Sequence, residues 1–152
     1  MVKRTNIAIA TKSSYNLVSW GSKPLKKMKL SGKVFSGRGG GKKFLELPWV
    51  KQQVKEKLGF TPYHGTLNVR LSEESIRRRK LLESTASMEI CPAEGYCSGK
   101  IFKAFVGVLE CAIVIPDVAG YPENVLEIIA STNLREKLQL ADGDKIAVTV
   151  NL

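Results

Sequence analysis

Residues 99–116 read "GKIFKAFVGVLECAIVIP". β-branched and aromatic residues crowd these positions, and the pattern predicts short strands in close succession. Working outward, "SMEIC" (87–91) before it and "VLEIIA" (125–130) after it read the same way. "MKLSGKVFSG" (28–37) alternates loosely, with apolar residues at Met28, Leu30, Val34 and Phe35 and a glycine irregularity at Gly32. "GTLNVRL" (65–71) alternates again, and "ADGDKIAVTVNL" (141–152) supplies a tight turn and a final strand. Two segments carry helical signals. In "LPWVKQQVKEKLGF" (47–60), Pro48 suits a first turn, Gly59 suits a stop, and Trp49, Val50, Val54 and Leu58 form one apolar stripe. "TNLREKLQL" (132–140) is a brief helix capped by Thr132 or Asn133. "SEESIRRRKLLEST" (72–85) is strongly polar and fits either a short helix or an inserted loop. Six or seven short strands without βαβ alternation predict a mainly β fold, a compact β-barrel.

The chain has 152 residues, 43% hydrophobic and 25% charged, which suits one globular domain with a real core. No apolar run reaches the roughly 18 to 20 residues of a membrane span. Lys12, Ser13, Ser14 and Asn16 break any signal-peptide core, so a cytoplasmic protein is expected. Cys91, Cys97 and Cys111, with the single His64, lack the spacing of a zinc site and read as buried thiols.

The net charge of +10 is unevenly placed. Residues 1–43 carry eleven Lys or Arg and no acid, and the first carboxylate is Glu46. The remaining 109 residues hold 13 basic and 14 acidic groups. Polyanions, whether nucleic acid or nucleotide phosphates, are the natural partners of such a field. Residues 1–28 are expected to form a basic arm and 29–152 the barrel domain.

That basic segment ends in "FSGRGGGKKF" (35–44). Glycines let successive backbone N–H groups turn toward an anion, and the flanking cations add charge. The loop is neither a Walker A sequence nor a dinucleotide fingerprint, so by itself it fits a phosphate cradle or a plain turn. In "YHGTLNVRL", Thr66 and Asn68 sit two apart and project to one face of a strand. Hydroxyl and carboxamide oxygens are hard ligands acceptable to Mg²⁺, though the same residues also suit ordinary edge polarity. Glu127 is the lone carboxylate in the apolar run "NVLEIIAS", either a surface residue or a proton acceptor.

"GKVFSGRGGGKKFLELPWVKQQVKEKLGFTPYHGTLNVRL" and "CAIVIPDVAGYPENVLEIIASTNLREKLQLADGDKIAV" together resemble the archaeal CTP-dependent riboflavin kinase family, over roughly residues 30–150. The resemblance implies a six-stranded cradle-loop barrel that transfers the γ-phosphoryl of CTP to the riboflavin 5′-hydroxyl, giving FMN and CDP. It implies that Gly37, Arg38, Gly39, Gly40, Gly41 and Lys42 hold the nucleotide, with Thr132, Asn133, Leu134 and Arg135 completing that site. Thr66 and Asn68 would bind Mg²⁺. Glu127 would lie at the flavin site as base or positioning group. The chain departs from the family pattern twice. Gly40 stands where a glutamate is common in the family, and Ala119 replaces a threonine that in the family contacts the flavin or its phosphate. The missing hydroxyl is worth on the order of 0.5 to 1.5 kcal/mol. The expected protein is a monomer. The rival readings are a barrel that binds nucleic acid through the basic segment, and a family member that binds flavin or nucleotide without turnover.

Overall fold

The computed structural model describes residues 27–37, 45–85, 87–91 and 99–152. In chain order its elements are β1 (Lys27–Phe35), α1 (Pro48–Leu58), β2 (Leu67–Leu71), α2 (Glu73–Glu83), β3 (Met88–Ile90), β4 (Gly99–Val106), β5 (Leu109–Pro116), β6 (Val125–Ile129), α3 (Leu134–Leu138) and β7 (Lys145–Asn151). All strand pairings are antiparallel, in the order β3-β4-β5-β6-β2-β1-β7. β7 returns to β4 through Ala104↔Val150 and Phe105↔Thr149 and so closes a six-stranded barrel. One edge of β4 is shared, with β3 on its first residues and β7 on its last.

Side chains alternate across each strand. Leu30 and Val34 of β1, Leu67 and Val69 of β2, Ile113 of β5, Leu126 and Ile128 of β6, and Val148 of β7 fill the interior. Burying each such side chain contributes about 1.5 to 3 kcal/mol. A second apolar cluster lies on the outside. There α1 lays Val50, Val54 and Leu58 over Ile101, Ala112, Val114 and Ile129. The stripe foreseen for this helix is therefore its packing face, Pro48 opens it, and Gly59 ends it at φ 83°. Gln53 fastens α1 to the end of β3, its Oε1 accepting the Cys91 N–H at 2.8 Å.

The open question at 72–85 resolves as a helix. The Ser72 side chain caps α2 by accepting the Ser75 N–H. The helix then attaches by polar bonds to distant backbone. The buried Ser75 hydroxyl accepts the Ser31 N–H at 2.8 Å, and Arg79 Nη1 donates to the Pro122 carbonyl at 2.9 Å. Gly32 answers to a close approach of β2, since a Cβ there would come within 2.2 Å of the Arg70 carbonyl oxygen.

The cysteine expectation needs one correction. Cys111 is a buried free thiol, its pKa pushed up to about 12 by burial and by nearby Glu110. Cys91, however, is disulfide-bonded. Cys97 lies outside the described residues. Among those residues, no helix is long and apolar enough to cross a membrane.

Candidate functional site

The outward side chains of β2 place Thr66, just before the strand, and Asn68 on one face, because Leu67 and Val69 between them point into the core. β6 runs beside β2 with Asn68 opposite Glu127. Glu127 is half-buried between the inward Leu126 and Ile128. Thr66 Oγ1 donates to Glu127 Oε1 at 3.1 Å. The Tyr121 hydroxyl donates to Glu127 Oε2. Both oxygens of the carboxylate are thus oriented by hydroxyls, and each retains capacity to accept another proton donor.

Burial and the hydrogen bond to Glu127 raise the Tyr121 pKa, so the phenol stays protonated and donating. Arg79 supports this arrangement from α2: its guanidinium lies 5.6 Å from the Tyr121 ring centre while also holding the Pro122 carbonyl. Tyr121 escaped the sequence reading. Its only signal was an aromatic in the loop six positions before a lone carboxylate.

The glycine loop begins against Asn68. A Cβ on Gly37 would lie 2.4 Å from Asn68 Nδ2, so a larger residue there would have to displace the carboxamide. Ser36 donates to both Asp142 oxygens, at 3.0 and 2.9 Å. Arg135 Nη2 also reaches Asp142, at 2.6 Å. Asp142 therefore ties the start of the loop to α3, and the bonds from Arg135 and Ser36 hold its pKa below the usual value. Arg38, Gly39, Gly40, Gly41 and Lys42 lie outside the described residues.

Thr132, Asn133, Leu134 and Arg135 line a cavity of about 170 Å³ together with Tyr63 and Thr66. Asn133 is the α3 cap, its Oδ1 accepting the Glu136 N–H. Its Nδ2 donates to the Tyr63 hydroxyl at 3.3 Å. The Leu134 side chain is buried in the barrel core. Ala119 sits in an exposed turn upstream of Tyr121. His64 is exposed beside the Tyr63 ring.

Among the described residues no three His, Cys, Asp or Glu side chains gather as metal ligands. The donors at the site are instead a hydroxyl, a carboxamide and one carboxylate. That set fits a hard cation which takes its other ligands from phosphate and water. The Gly37 backbone, packed against Asn68 with no room for a Cβ, closes one wall around those donors.

Fold and site define a class: a closed antiparallel barrel with an oxygen-rich polar site on its outer wall, beside a glycine loop. The chain belongs to the CTP-dep_RFKase family, described as a domain of unknown function, DUF120, whose profile matches residues 34–150. It is 40% identical over 128 residues to a riboflavin kinase of Methanosarcina barkeri, covering 80% of this chain and 56% of that protein. It is also 40% identical over 132 residues to a riboflavin kinase of Archaeoglobus fulgidus, covering 82% and 55%. A riboflavin kinase of Pyrobaculum islandicum is 37% identical over 132 residues, covering 82% and 61%. The chain therefore spans less than two thirds of the length of these relatives.

Proposed function

We propose that the protein is a phosphotransferase that moves the γ-phosphoryl of CTP to the 5′-hydroxyl of riboflavin, releasing FMN and CDP. The family's name and the names of its relatives support the substrates. The observation that carries the reading is the meeting at Thr66. One hydroxyl both bonds Glu127 and lines the cavity bounded by Thr132–Arg135. Residues from three separate stretches thereby share one site.

In this reading Thr66 and Asn68 hold Mg²⁺, which when bound neutralises phosphate charge. Residues 37–42 and 132–135 hold the nucleotide. Glu127, oriented by Thr66 and Tyr121, accepts the proton of the riboflavin 5′-hydroxyl as that oxygen bonds to the γ-phosphorus. The bond from the γ-phosphorus to the bridging oxygen breaks, and CDP leaves with the electron pair. Positioning and charge neutralisation dominate such transfers, so a site with few ionisable groups suffices. Tyr121 supplies on the flavin side a hydroxyl that Ala119 cannot. The enzyme acts as a cytoplasmic monomer.

The test is FMN formation from riboflavin and Mg²⁺ with CTP, ATP, GTP or UTP, run beside Thr66→Ala. Turnover preferring CTP and lost in the variant is expected. Turnover with ATP alone would overturn the donor, and no FMN from any donor with folded protein would overturn the reaction.

A further inference from the structure

Antiparallel register sets three cations side by side on the outer wall. Lys145 of β7 lies opposite Lys33 of β1, and Lys33 lies opposite Arg70 of β2. Strands sit about 4.8 Å apart, so the row spans about 10 Å. Like charges directly opposite destabilise a sheet. Yet among the described residues none of the three forms an ion pair, and all are exposed. Three acids on the flanking segments have partners of their own, although Asp142 also borders the groove. Asp142 is held by Arg135 and Ser36, Asp144 accepts the Ala141 N–H, and Glu74 pairs with Arg78. Lys29 adds a fourth cation on the same face of β1. With Ser31 and Phe35 these residues line a groove of about 800 Å³, and the Arg70 guanidinium lies 4.2 Å from the Phe35 ring centre. None of Thr66, Asn68, Glu127 or residues 132–135 borders it.

We propose that this groove binds the sugar–phosphate backbone of single-stranded nucleic acid without reading its sequence. Cations outside any ion pair, repeated along and across strands, match a chain of phosphates better than one small anion. The sequence that contains β1 is itself strongly cationic, since residues 1–43 hold eleven cations and no acid. Phe35, sharing its ring with Arg70, offers one platform for a base. The surface is a recess rather than a projecting helix or ribbon, which suits a flexible strand and not the grooves of a duplex.

The test uses the full chain and a labelled single-stranded RNA of about 20 nucleotides, titrated between about 50 and 200 mM salt. A log–log salt slope of about −2 or steeper is expected. Lys29→Gln/Lys33→Gln/Lys145→Gln should bind about 10-fold more weakly at low salt, with a slope shallower by about 2. Lys51→Gln/Lys55→Gln on α1 should bind like the parent. Thermal midpoints verify folding of both variants. Absent binding, equal loss in both variants, or a triple variant that binds like the parent would overturn the proposal. So would equal affinity for a polyglutamate peptide, which would assign the groove to an acidic protein. If the triple variant lost FMN formation while keeping RNA binding, the row would belong to phosphoryl transfer instead.

Discussion

The two halves of the barrel's outer wall differ although they enclose one interior. Over β4, β5 and β6 the outward Ile101, Ala112, Val114 and Ile129 are apolar and α1 covers them. Over β2, β1 and β7 the outward residues include Asn68, Arg70, Phe35, Lys33 and Lys145, and the groove lies open beside the last four. The contrast is visible in burial along the strands. Cys111–Ile115 of β5 is buried at every position, whereas β1 alternates. Glu127 stands on the boundary, with Val114 of the covered half on one side and Asn68 of the open half on the other. A carboxylate there is half-buried and held by two hydroxyls, yet can still meet a ligand. The covered half provides rigidity, and the open half provides access.

The sharpest way to break this comparison is at its boundary. Glu127→Gln should lower kcat for FMN formation about 10²- to 10⁴-fold with the thermal midpoint nearly kept. A fall in riboflavin affinity with kcat intact would reduce Glu127 to a positioning group. In the covered half, Ile101→Ala should cost about 2 to 5 kcal/mol in urea unfolding, because it opens a cavity beneath α1. Turnover per folded molecule should be unchanged; if it fell as far as in the Glu127 variant, the two halves would not be separable. In the open half, Gly37→Ala should displace the Asn68 carboxamide. That should weaken metal dependence about 10- to 100-fold, read as the Mg²⁺ concentration for half-maximal rate, with little loss of stability.

The smallest effect concerns Asp142. Its folded-state pKa lies below the ordinary value of 3.8, so its contribution is fully present above that value. It is lost as pH falls through the lowered pKa. Asp142→Asn should flatten the acid limb of the thermal-midpoint profile below about pH 4 and leave neutral pH nearly unaffected. An unchanged acid limb would show that the link from Ser36 to Arg135 adds no stability.

Several elements were legible because their signals are local. The 3.6-residue stripe of α1, the alternation in β1, β2 and β7, and the Asn133 cap depend on neighbours a few positions away. The polar stretch 72–85 was ambiguous because α2 is fixed by bonds to Ser31 and Pro122, more than 40 residues distant in sequence. The site divides similarly. Thr66, Asn68 and Glu127 were nominated as single residues, but no spacing rule ties residue 68 to residue 127. Their meeting is a matter of strand register, which also set Lys145, Lys33 and Arg70 in one row. Tyr121 and Asp142 carry no local pattern: Tyr121 bonds Glu127 across a loop, and Asp142 joins Ser36 to Arg135.

The sequence by itself determined the supply of short strands, the charge imbalance and, by resemblance, the family. Those follow from residue type and from periods of two or 3.6, which any local stretch displays. Only the tertiary structure decided which outward faces are covered, where Glu127 finds its two hydroxyls, and which cations stand together. Those depend on barrel closure and on the register of strands distant in sequence, where a slip of one residue would turn every side chain to the opposite face.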